Sequence, residues 1–488
     1  MRFDRSAGVL CHVSSLPGPF GIGDLGEEAY RFVDFLAGAG QSYWQVLPLG
    51  PSDDGNPYIA QSSWAGSPYL VSLERLCQAG DLTGDELNGV RVPHTGKIDY
   101  DFIANSRKAL LARAAGRFFE RKGAEKARFD KFCEAEAGWL DDWALFAAVK
   151  KAHGGQPWWN WAKPIALRQP AGLKEWKKKL EKETEVERYI QFRFFEQWDR
   201  LREKMTAAKI KVIGDIPIYC ARDSSDVWAS KEMFQLNADG TPKVVSGVPP
   251  DYFAKDGQLW GTPVYDWKKN KADGFTWWIG RLRGALRHAD VVRIDHFRAF
   301  ESYWEVPADA PTAKTGKWVK GPGADFFKNV RKALGDAPFI AEDLGVITKG
   351  VYDLRDQFEL PGMKVLQFAF GEGAKSPHLP IRHQKNAVVY SGTHDNDTTV
   401  GWYQSAGDKE KDAFRRYTAT DGNFCHYHMM RLAYGSVCDL AIVPMQDVLG
   451  LGGWARMNVP GIAKGNWGFK LVPDQVNAAT QKTLAELA

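Results

Sequence analysis

Carboxylate side chains recur at the ends of short β-branched runs along this sequence. The residues in this position are Asp215, Asp295, Glu342, Asp395 and Asp447. Because an unpaired charge is costly to bury, carboxylates repeated at one kind of position favour acid–base or nucleophilic work on a polar substrate over a packing role. The structural alternative for any one of them is a place in an internal salt-bridge network.

Two of these carboxylates have neighbours that suit different chemical roles. Arg293 and Asp295 are two residues apart on one run, so both side chains face the same side, where a guanidinium would keep the carboxylate ionised as a nucleophile requires. Apolar surroundings would raise the pKa of Glu342 and keep it protonated as an acid. The alternation of side chains leaves open whether Glu342 or Asp343 faces the site.

A pair of carboxyl groups about 5 to 5.5 Å apart is typical of a retaining glycosidase, in which one attacks the anomeric carbon and the other protonates the leaving oxygen. Neighbouring strands of a sheet can supply that separation. Asp395 lies between His394 and Asn396, where it can accept hydrogen bonds from sugar hydroxyls as the transition state forms. The alternative for residues 394–397 is a turn and a helix N-cap.

These carboxylates must be positioned by eight β-branched runs. Most of the runs are separated by enough residues to form a helix. Parallel strands joined by crossover helices follow from this pattern. The sequence therefore predicts an α/β protein with a (β/α)8 TIM barrel, whose active site lies at the carboxyl ends of the strands. The predicted strands span residues 8–15, 43–49, 210–218, 291–297, 339–344, 363–370, 387–394 and 441–448.

The surplus length over a plain barrel is concentrated in two segments. We predict one catalytic barrel over residues 1–488, with a mainly helical insertion at 72–196 after the second strand. A second insertion, at 221–276 after the third strand, is rich in Gly, Pro and aromatic residues and is expected to carry an active-site loop. The tryptophans of the 157–161 cluster form either a small core or a sugar-facing surface.

Composition excludes several classes of protein. The chain has 488 residues, of which 44% are hydrophobic and 25% charged, so disorder is excluded, and its net charge of +4 gives no reason to expect a nucleic-acid or membrane partner. Six scattered cysteines include no C-x-x-C pair, which predicts buried thiols rather than a metal site or a disulfide framework. With no apolar stretch long enough to span a bilayer, we expect a cytoplasmic location.

Two further classes remain as alternatives. His12, His296 and His394 lie near predicted strand ends, as in metal-dependent barrel hydrolases, but no His-x-His pair marks the first strand. A glucan-binding protein without catalytic activity could carry the same aromatic residues. Loss of turnover with retained oligosaccharide binding on replacement of Asp295 would argue against that class.

Nine motifs carry a resemblance that covers nearly the whole chain, from Arg5 to about Trp467. They are SLPGPFGIGDLG (15–26), WQVLPLGP (44–51), IGDIPIY (213–219), GVPPDYF (247–253), GQLWG (257–261), RIDHFR (293–298), AEDLG (341–345), GTHDNDT (392–398) and RMNVPG (456–461). With these motifs the sequence resembles the 4-α-glucanotransferases of the amylomaltase or disproportionating-enzyme family, glycoside hydrolase family 77. It departs from the family pattern at Ser67, Thr262 and Gly371, which bears on subsite preference rather than on the reaction.

The resemblance implies a retaining transfer of α-1,4-glucan segments to the 4-hydroxyl of glucose or another glucan. It implies Asp295 as nucleophile, Glu342 rather than Asp343 as acid/base, and Asp395 as transition-state stabiliser. It implies no cofactor and no metal, and maltooligosaccharides, starch or glycogen as substrates; the alternative is a plain α-1,4-glucan hydrolase. The implied sugar contacts are Tyr58, Asp215, Asp251, Tyr252, Phe253, Gln258, Trp260, Arg293, His296, His394 and Asn466.

Overall fold

A ring of parallel strands forms the centre of the protein. The computed structural model describes residues 3–250 and 255–488. The strands of these residues are β1 (Ser6–Leu10), β2 (Tyr43–Gln45), β3 (Lys211–Pro217), β4 (Val244–Val248), β5 (Gln258–Pro263), β6 (Val291–Asp295), β7 (Ser302–Pro307), β8 (Lys317–Lys320), β9 (Phe339–Ala341), β10 (Gly362–Val365), β11 (Ala387–Tyr390) and β12 (Leu440–Pro444). Eight of them form one sheet in the order β10-β11-β12-β1-β2-β3-β6-β9. The Ala341 N–H donates to the Pro361 carbonyl at 2.9 Å and joins the two ends of this sheet. The predicted (β/α)8 barrel is confirmed.

The helices of the described residues surround this barrel. They are α1 (Glu27–Gly38), α2 (Leu73–Gln78), α3 (Gly84–Asn88), α4 (Tyr100–Glu120), α5 (Ala124–Ala152), α6 (Lys163–Ala166), α7 (Pro170–Lys179), α8 (Glu181–Ala207), α9 (Ser225–Ala229), α10 (Trp267–Ala272), α11 (Thr276–His288), α12 (Gly323–Leu334), α13 (Lys349–Gln357), α14 (Thr399–Ser405), α15 (Asp408–Thr418), α16 (Cys425–Tyr434), α17 (Met445–Val448) and α18 (Ala478–Ala485). Helices α2 to α8 occupy the chain between β2 and β3, and α8 continues past residue 196. None of the described helices combines the length and apolar composition that a membrane span requires.

The barrel strands end earlier than the β-branched runs that predict them. The run at 441–448 is a strand only to Pro444, and Met445–Val448 form α17 instead. The pairing of β11 with β12 stops at Tyr390 opposite Ile442, so residues 391–394 have no ladder to extend. A β-branched composition favours extended backbone, but a strand continues only while a neighbouring strand supplies hydrogen bonds. Several of the predicted site residues therefore lie on loops just beyond the strands.

A second sheet, absent from the predicted elements, covers one part of the barrel mouth. It is antiparallel, with the strand order β5-β4-β7-β8. Gly247 of β4 lies opposite Leu259 of β5 and Trp304 of β7. Its strands β4 and β5 belong to the segment predicted as an insertion at 221–276. The many Gly and Pro residues of that segment concealed the hairpin, because both residue types are depleted in strands.

The tryptophan cluster at 157–161 belongs to the core of the helical segment. Trp158 and Trp161 are 0% and 4% exposed, which decides between the two alternatives given by the sequence. Trp161 contacts Phe146 of α5 and Trp228 of α9, with ring centroids 5.3 and 5.8 Å apart. These rings therefore join α5 to the chain that follows β3.

Asp81 is a fully buried carboxylate that ties α8 to the chain near α3. It accepts hydrogen bonds from the Tyr189 hydroxyl at 2.6 Å and from Arg193 Nε at 2.8 Å, and it pairs with Arg121. We expect Asp81→Ala to lower the free energy of unfolding by about 3 kcal/mol, because it removes one carboxylate partner of the buried Arg193 guanidinium and leaves the buried Tyr189 hydroxyl without its acceptor. Urea unfolding measures this, with the exposed Asp85→Ala as a control that changes stability by less than about 0.5 kcal/mol. Equal midpoints for the two variants would contradict the prediction.

Candidate active site

One guanidinium holds two carboxylates at the carboxyl ends of β3 and β6. These strands pair with Asp215 opposite Arg293. Arg293 Nη1 lies 2.6 Å from Asp215 Oδ2, and its Nη2 lies 2.8 Å from Asp295 Oδ1. The side chains of Arg293 and Asp215 are 4% and 0% exposed, whereas that of Asp295 is 27% exposed. Asp295 is therefore the member of this set that a substrate reaches most easily.

Glu342 faces Asp295 from the next strand. The parallel pairing of β6 with β9 ends one residue before Asp295 and Glu342, so the two residues follow each other in register on adjoining strands. Adjoining strands lie about 4.8 Å apart. Their carboxyl groups therefore start from backbone positions whose separation suits the pair of a retaining glycosidase.

Backbone amides fix the orientation of the Glu342 carboxyl group. The His296 N–H donates to Oε2 and the Leu344 N–H donates to Oε1, both at 2.8 Å. Burial raises the pKa of Glu342 to about 8, the negative charge of Asp295 adds to this rise, and Arg293 opposes it. At neutral pH the group therefore carries a proton that it can donate.

Asp343 has contacts away from Asp295. This decides which of residues 342 and 343 faces the site, a choice that side-chain alternation left open. It is buried, accepts a hydrogen bond from the Met363 N–H at 2.7 Å and pairs with Arg355. Burial raises the pKa of Asp343, and Arg355 opposes the rise. Asp343 thus joins the end of β9 to β10 and α13, while Glu342 faces Asp295.

Asp447 has a structural role rather than the catalytic one suggested by its position near a strand end. It is buried in α17, and its Oδ2 accepts hydrogen bonds from the Ser391 hydroxyl at 2.6 Å and the Thr399 hydroxyl at 2.7 Å. Its Oδ1 accepts from the Thr399 N–H at 2.7 Å. Both oxygens are occupied, so Asp447 joins the start of α14 to α17.

Asp395 lies on the loop after β11 with its carboxylate partly open to solvent. The side chain is 44% exposed, and Oδ2 lies 3.4 Å from His394 Nε2. Oδ1 accepts a hydrogen bond from Asn458 Nδ2 at 2.6 Å. The N-cap of α14 is Thr398, whose hydroxyl accepts from the Gly401 N–H at 3.0 Å. The Asp395 carboxylate is therefore not used as a helix cap.

Aromatic rings form one wall beside these carboxylates. The Tyr58 hydroxyl donates to Asp215 Oδ2 at 2.7 Å, and its ring stacks on His394 with centroids 4.9 Å apart and planes 13° apart. The Trp467 ring centroid lies 5.7 Å from that of Tyr58. Burial lowers the pKa of His394, so the ring that packs against Tyr58 is neutral. Trp467 was missed as a site residue, although it adjoins the predicted contact Asn466.

A second aromatic surface comes from the antiparallel sheet. Trp260 of β5 is 37% exposed, and its ring meets that of His296 edge to face with centroids 4.8 Å apart. The indole N–H of Trp260 donates to Gln258 Oε1 at 3.2 Å. His296 has a left-handed backbone with φ 52°, and burial lowers its pKa to about 3. An exposed indole beside neutral imidazole is a surface on which a sugar ring can stack.

Comparison with known proteins identifies the relatives of this chain. The sequence profile described as 4-alpha-glucanotransferase matches residues 11–475. The 4-alpha-glucanotransferase of Synechocystis sp. is 48% identical over 97% of this chain and 95% of its own length, and that of Thermus thermophilus is 46% identical over 98% and 97%. The amylomaltase of Streptococcus agalactiae, solved with acarbose, superposes with a TM-score of 0.96 at 34% identity, over 99% of this chain and 98% of its own.

The chain belongs to the 4-alpha-glucanotransferase family. It is an enzyme of the retaining glycoside hydrolase type that acts as a transferase in carbohydrate metabolism. The resemblance carried by the nine sequence motifs is thereby confirmed.

Four of the sugar contacts expected for a 4-alpha-glucanotransferase are not placed at the site by the structure. Asp251, Tyr252 and Phe253 lie outside the described residues. The Asn466 amide is used by its own loop, since Oδ1 accepts from the Val459 N–H at 3.0 Å and Nδ2 donates to the Ile462 carbonyl at 2.7 Å. Contact with sugar stays a prediction for these four residues, as it does for the expected residues that the structure brings to the site.

The histidines considered as metal ligands have other surroundings. Within residues 3–250 and 255–488, no three His, Cys, Asp or Glu side chains are arranged to hold a metal ion. His12 is buried, and burial together with the nearby His394 lowers its pKa. His296 packs against Trp260 instead.

The pH dependence of turnover follows from the raised pKa of Glu342. The acid must hold its proton for the first step, so kcat/KM is expected to fall as the pH rises through about 8. The rate with maltotriose as donor and acceptor, measured from pH 5 to 10, tests this. The matched control is Glu187→Gln, because burial raises the pKa of Glu187 to about 7 on α8, outside the catalytic carboxylate cluster. In that variant the rate should decrease at the same alkaline pH as in the wild type. A decrease that shifted to another pH would contradict the assignment to Glu342.

Proposed function

We propose that this 4-alpha-glucanotransferase works by double displacement, with Asp295 as nucleophile, Glu342 as acid/base and Asp395 as stabiliser. The observation that carries the proposal is the pairing of two unlike carboxyl groups on adjoining strands. Burial raises the pKa of Glu342, whereas Asp295 is 27% exposed and lies 2.8 Å from the Arg293 guanidinium. A buried acid beside an accessible aspartate on the adjoining strand matches the acid and the nucleophile of retaining glycoside chemistry.

The first step forms a covalent ester. An Asp295 oxygen attacks the anomeric carbon, the glycosidic bond breaks, and the Glu342 proton goes to the leaving oxygen. Positive charge develops on the sugar ring at this point. We propose that the Asp395 carboxylate, which is 44% exposed on its loop, stabilises this charge and accepts hydrogen bonds from ring hydroxyls.

The second step reverses the role of Glu342. The negative charge of Asp295 is one cause of the raised pKa of Glu342, and this charge disappears when the ester forms. The pKa of Glu342 then falls, because the Arg293 guanidinium is no longer balanced by that carboxylate. Glu342 can therefore take the proton of an acceptor 4-hydroxyl as it attacks, which regenerates Asp295 and retains the configuration.

Aromatic rings beside the carboxylates support sugars as both donor and acceptor. Tyr58 and His394 stack next to this cluster, and Trp260 adds an exposed indole on the other sheet. Flat aromatic faces of this kind suit the apolar faces of sugar rings. We propose α-1,4-glucans, from maltooligosaccharides to starch or glycogen, as donors, and glucose or another glucan as acceptor.

The product ladder from maltotriose tests the proposed reaction against its alternative. Transfer produces oligosaccharides longer than maltotriose and conserves the number of reducing ends. Hydrolysis produces only shorter sugars and adds one reducing end for each bond broken. We expect maltotetraose and longer products with an almost constant reducing-end count; release of reducing ends with no longer product would reject the transferase and favour an α-glucan hydrolase.

We also propose that the enzyme operates in the cytoplasm. Its six cysteines are free thiols, and burial raises the pKa of Cys11, Cys220 and Cys425. Unpaired thiols of this kind suit a reducing compartment. Fractionation of cells that express the protein tests the proposal, and recovery in an extracellular or organellar fraction would contradict it.

A further inference from the structure

A loop remote in sequence lies against Asp395. We call residues 456–467 the clamp loop. Asn458 Nδ2 donates to Asp395 Oδ1 at 2.6 Å, and Arg456 Nη2 donates to the Asp395 backbone carbonyl at 2.6 Å. One residue of the clamp loop thus holds the carboxylate, and another holds the main chain that carries it.

The clamp loop is itself fixed by internal hydrogen bonds. Arg456 Nε donates to the Asn458 carbonyl at 2.7 Å, and the Trp467 N–H donates to the Met457 carbonyl at 2.7 Å. The Asn458 N–H donates to the His394 carbonyl at 3.1 Å, so the loop is also tied to the residue before Asp395. These bonds leave the Asn458 amide little freedom to turn away from the carboxylate.

The hydrogen-bond partner of Asp395 differs in charge from the partner that Asp295 and Asp215 share. Asp295 and Asp215 both pair with the Arg293 guanidinium. Asp395 receives a short hydrogen bond from a neutral amide, and the nearby His394 is kept neutral by burial, which lowers its pKa. A neutral donor orients a carboxylate without cancelling its charge. A residue that stabilises a positively charged transition state needs both properties.

We propose that Asn458 is a positioning residue that orients the Asp395 carboxylate for transition-state stabilisation, with Arg456 holding Asn458 in place. The inference rests on the proposed role of Asp395. Removal of the amide is expected to lower kcat rather than to raise KM, because the oriented charge is needed most when positive charge develops on the sugar.

The first test is Asn458→Ala. We expect kcat with maltotriose to fall about ten- to a hundredfold, the usual cost of losing a hydrogen bond to a charged group, with KM changed by less than about threefold. The matched control is Asn423→Ala, which removes a similar amide-to-carboxylate bond, from Asn423 Nδ2 to Asp421 Oδ2 at 2.7 Å, on the exposed surface. That control should keep wild-type kcat.

The second test, Asn458→Asp, keeps the size of the side chain and replaces the donor by a carboxyl group. Two carboxyl groups in contact share one proton, so the variant needs a lower pH to place a donor against Asp395. We expect its activity, relative to wild type, to rise at least fivefold between pH 8 and pH 5. A purely structural role would give the same fractional loss at every pH, and that result would overturn the proposal.

The third test separates this inference from the function on which it rests. Asp395→Asn should lower kcat by at least a hundredfold, and adding Asn458→Ala to it should cost less than threefold, because the carboxylate to be oriented is already gone. Wild-type turnover by Asp395→Asn would reject the proposed role of Asp395. If Asp395→Asn is inactive but Asn458→Ala keeps more than half of wild-type kcat, or if the two losses multiply in full, the positioning role is rejected.

Discussion

Asp295→Asn is expected to abolish glucan transfer, with kcat on maltotriose reduced on the order of 10⁴-fold or more. The variant has the same shape, and its amide oxygen can still accept from Arg293 Nη2, which lies 2.8 Å from the carboxylate in the wild type. What it lacks is a nucleophile able to form the glycosyl ester. Product ladders by high-performance chromatography measure the loss over several days of incubation.

Binding provides the control for this variant. Asp295→Asn should bind maltotriose within about tenfold of the wild-type affinity by calorimetry, since the aromatic walls of Tyr58, Trp467 and Trp260 are untouched. Retained binding with lost turnover would also dismiss the alternative of a glucan-binding protein without activity. Turnover within tenfold of wild type would instead show that another group forms the covalent bond.

Glu342→Gln has the second largest expected effect, a decrease in kcat on maltotriose on the order of 10³-fold. The amide oxygen can accept one of the two backbone hydrogen bonds, whereas the NH2 group that replaces the second oxygen is a donor and cannot accept the other. The amide also has no proton of suitable acidity for the leaving sugar. That proton belongs to a group whose pKa is raised to about 8 by burial and by Asp295. The decrease in rate at alkaline pH should therefore be absent from the variant. The rate of the variant should therefore be nearly independent of pH between 7 and 9.

An activated donor separates the two steps of the Glu342→Gln enzyme. The fluoride of α-maltosyl fluoride leaves with little need for an acid, so the first step is restored, while the second step still lacks its base. The maltosyl ester on Asp295 is then expected to accumulate and to add one maltosyl group to the intact mass. An unmodified protein together with rapid fluoride release would contradict the double role of Glu342. The control Glu187→Gln should show wild-type turnover and no accumulated ester.

Much of the fold follows from local sequence pattern. Eight β-branched runs with helix-length spacers predict the barrel, and the first spacer forms α1, with Glu27 and Glu28 at its positive N-terminal end. The strand boundaries were less well predicted, because the end of a strand depends on where its neighbour stops. The antiparallel sheet was missed for a related reason, since its short strands, two of them in a Gly- and Pro-rich segment, are stable only when paired with one another.

The candidate site also has features that local sequence predicts and features that it does not. The spacing of Arg293 and Asp295 was enough to predict that the two side chains meet, because residues two apart on a strand face one side. Residues 342 and 343 could not be distinguished by alternation alone. Their difference lies in partners from distant chain segments: His296 for Glu342, and Met363 for Asp343.

By itself the sequence determined the barrel, the family and the carboxylates at the strand ends, because these depend on residue types, periods and spacings that are local to the chain. Only the tertiary structure decided that Asp447 is a structural residue, that Trp467 faces Tyr58, and that Asn458 holds Asp395. The physical reason is that burial, hydrogen-bond partners and pKa values depend on which distant segments fold together. Asn458 and Asp395 are 63 positions apart in sequence and 2.6 Å apart at their bonded atoms.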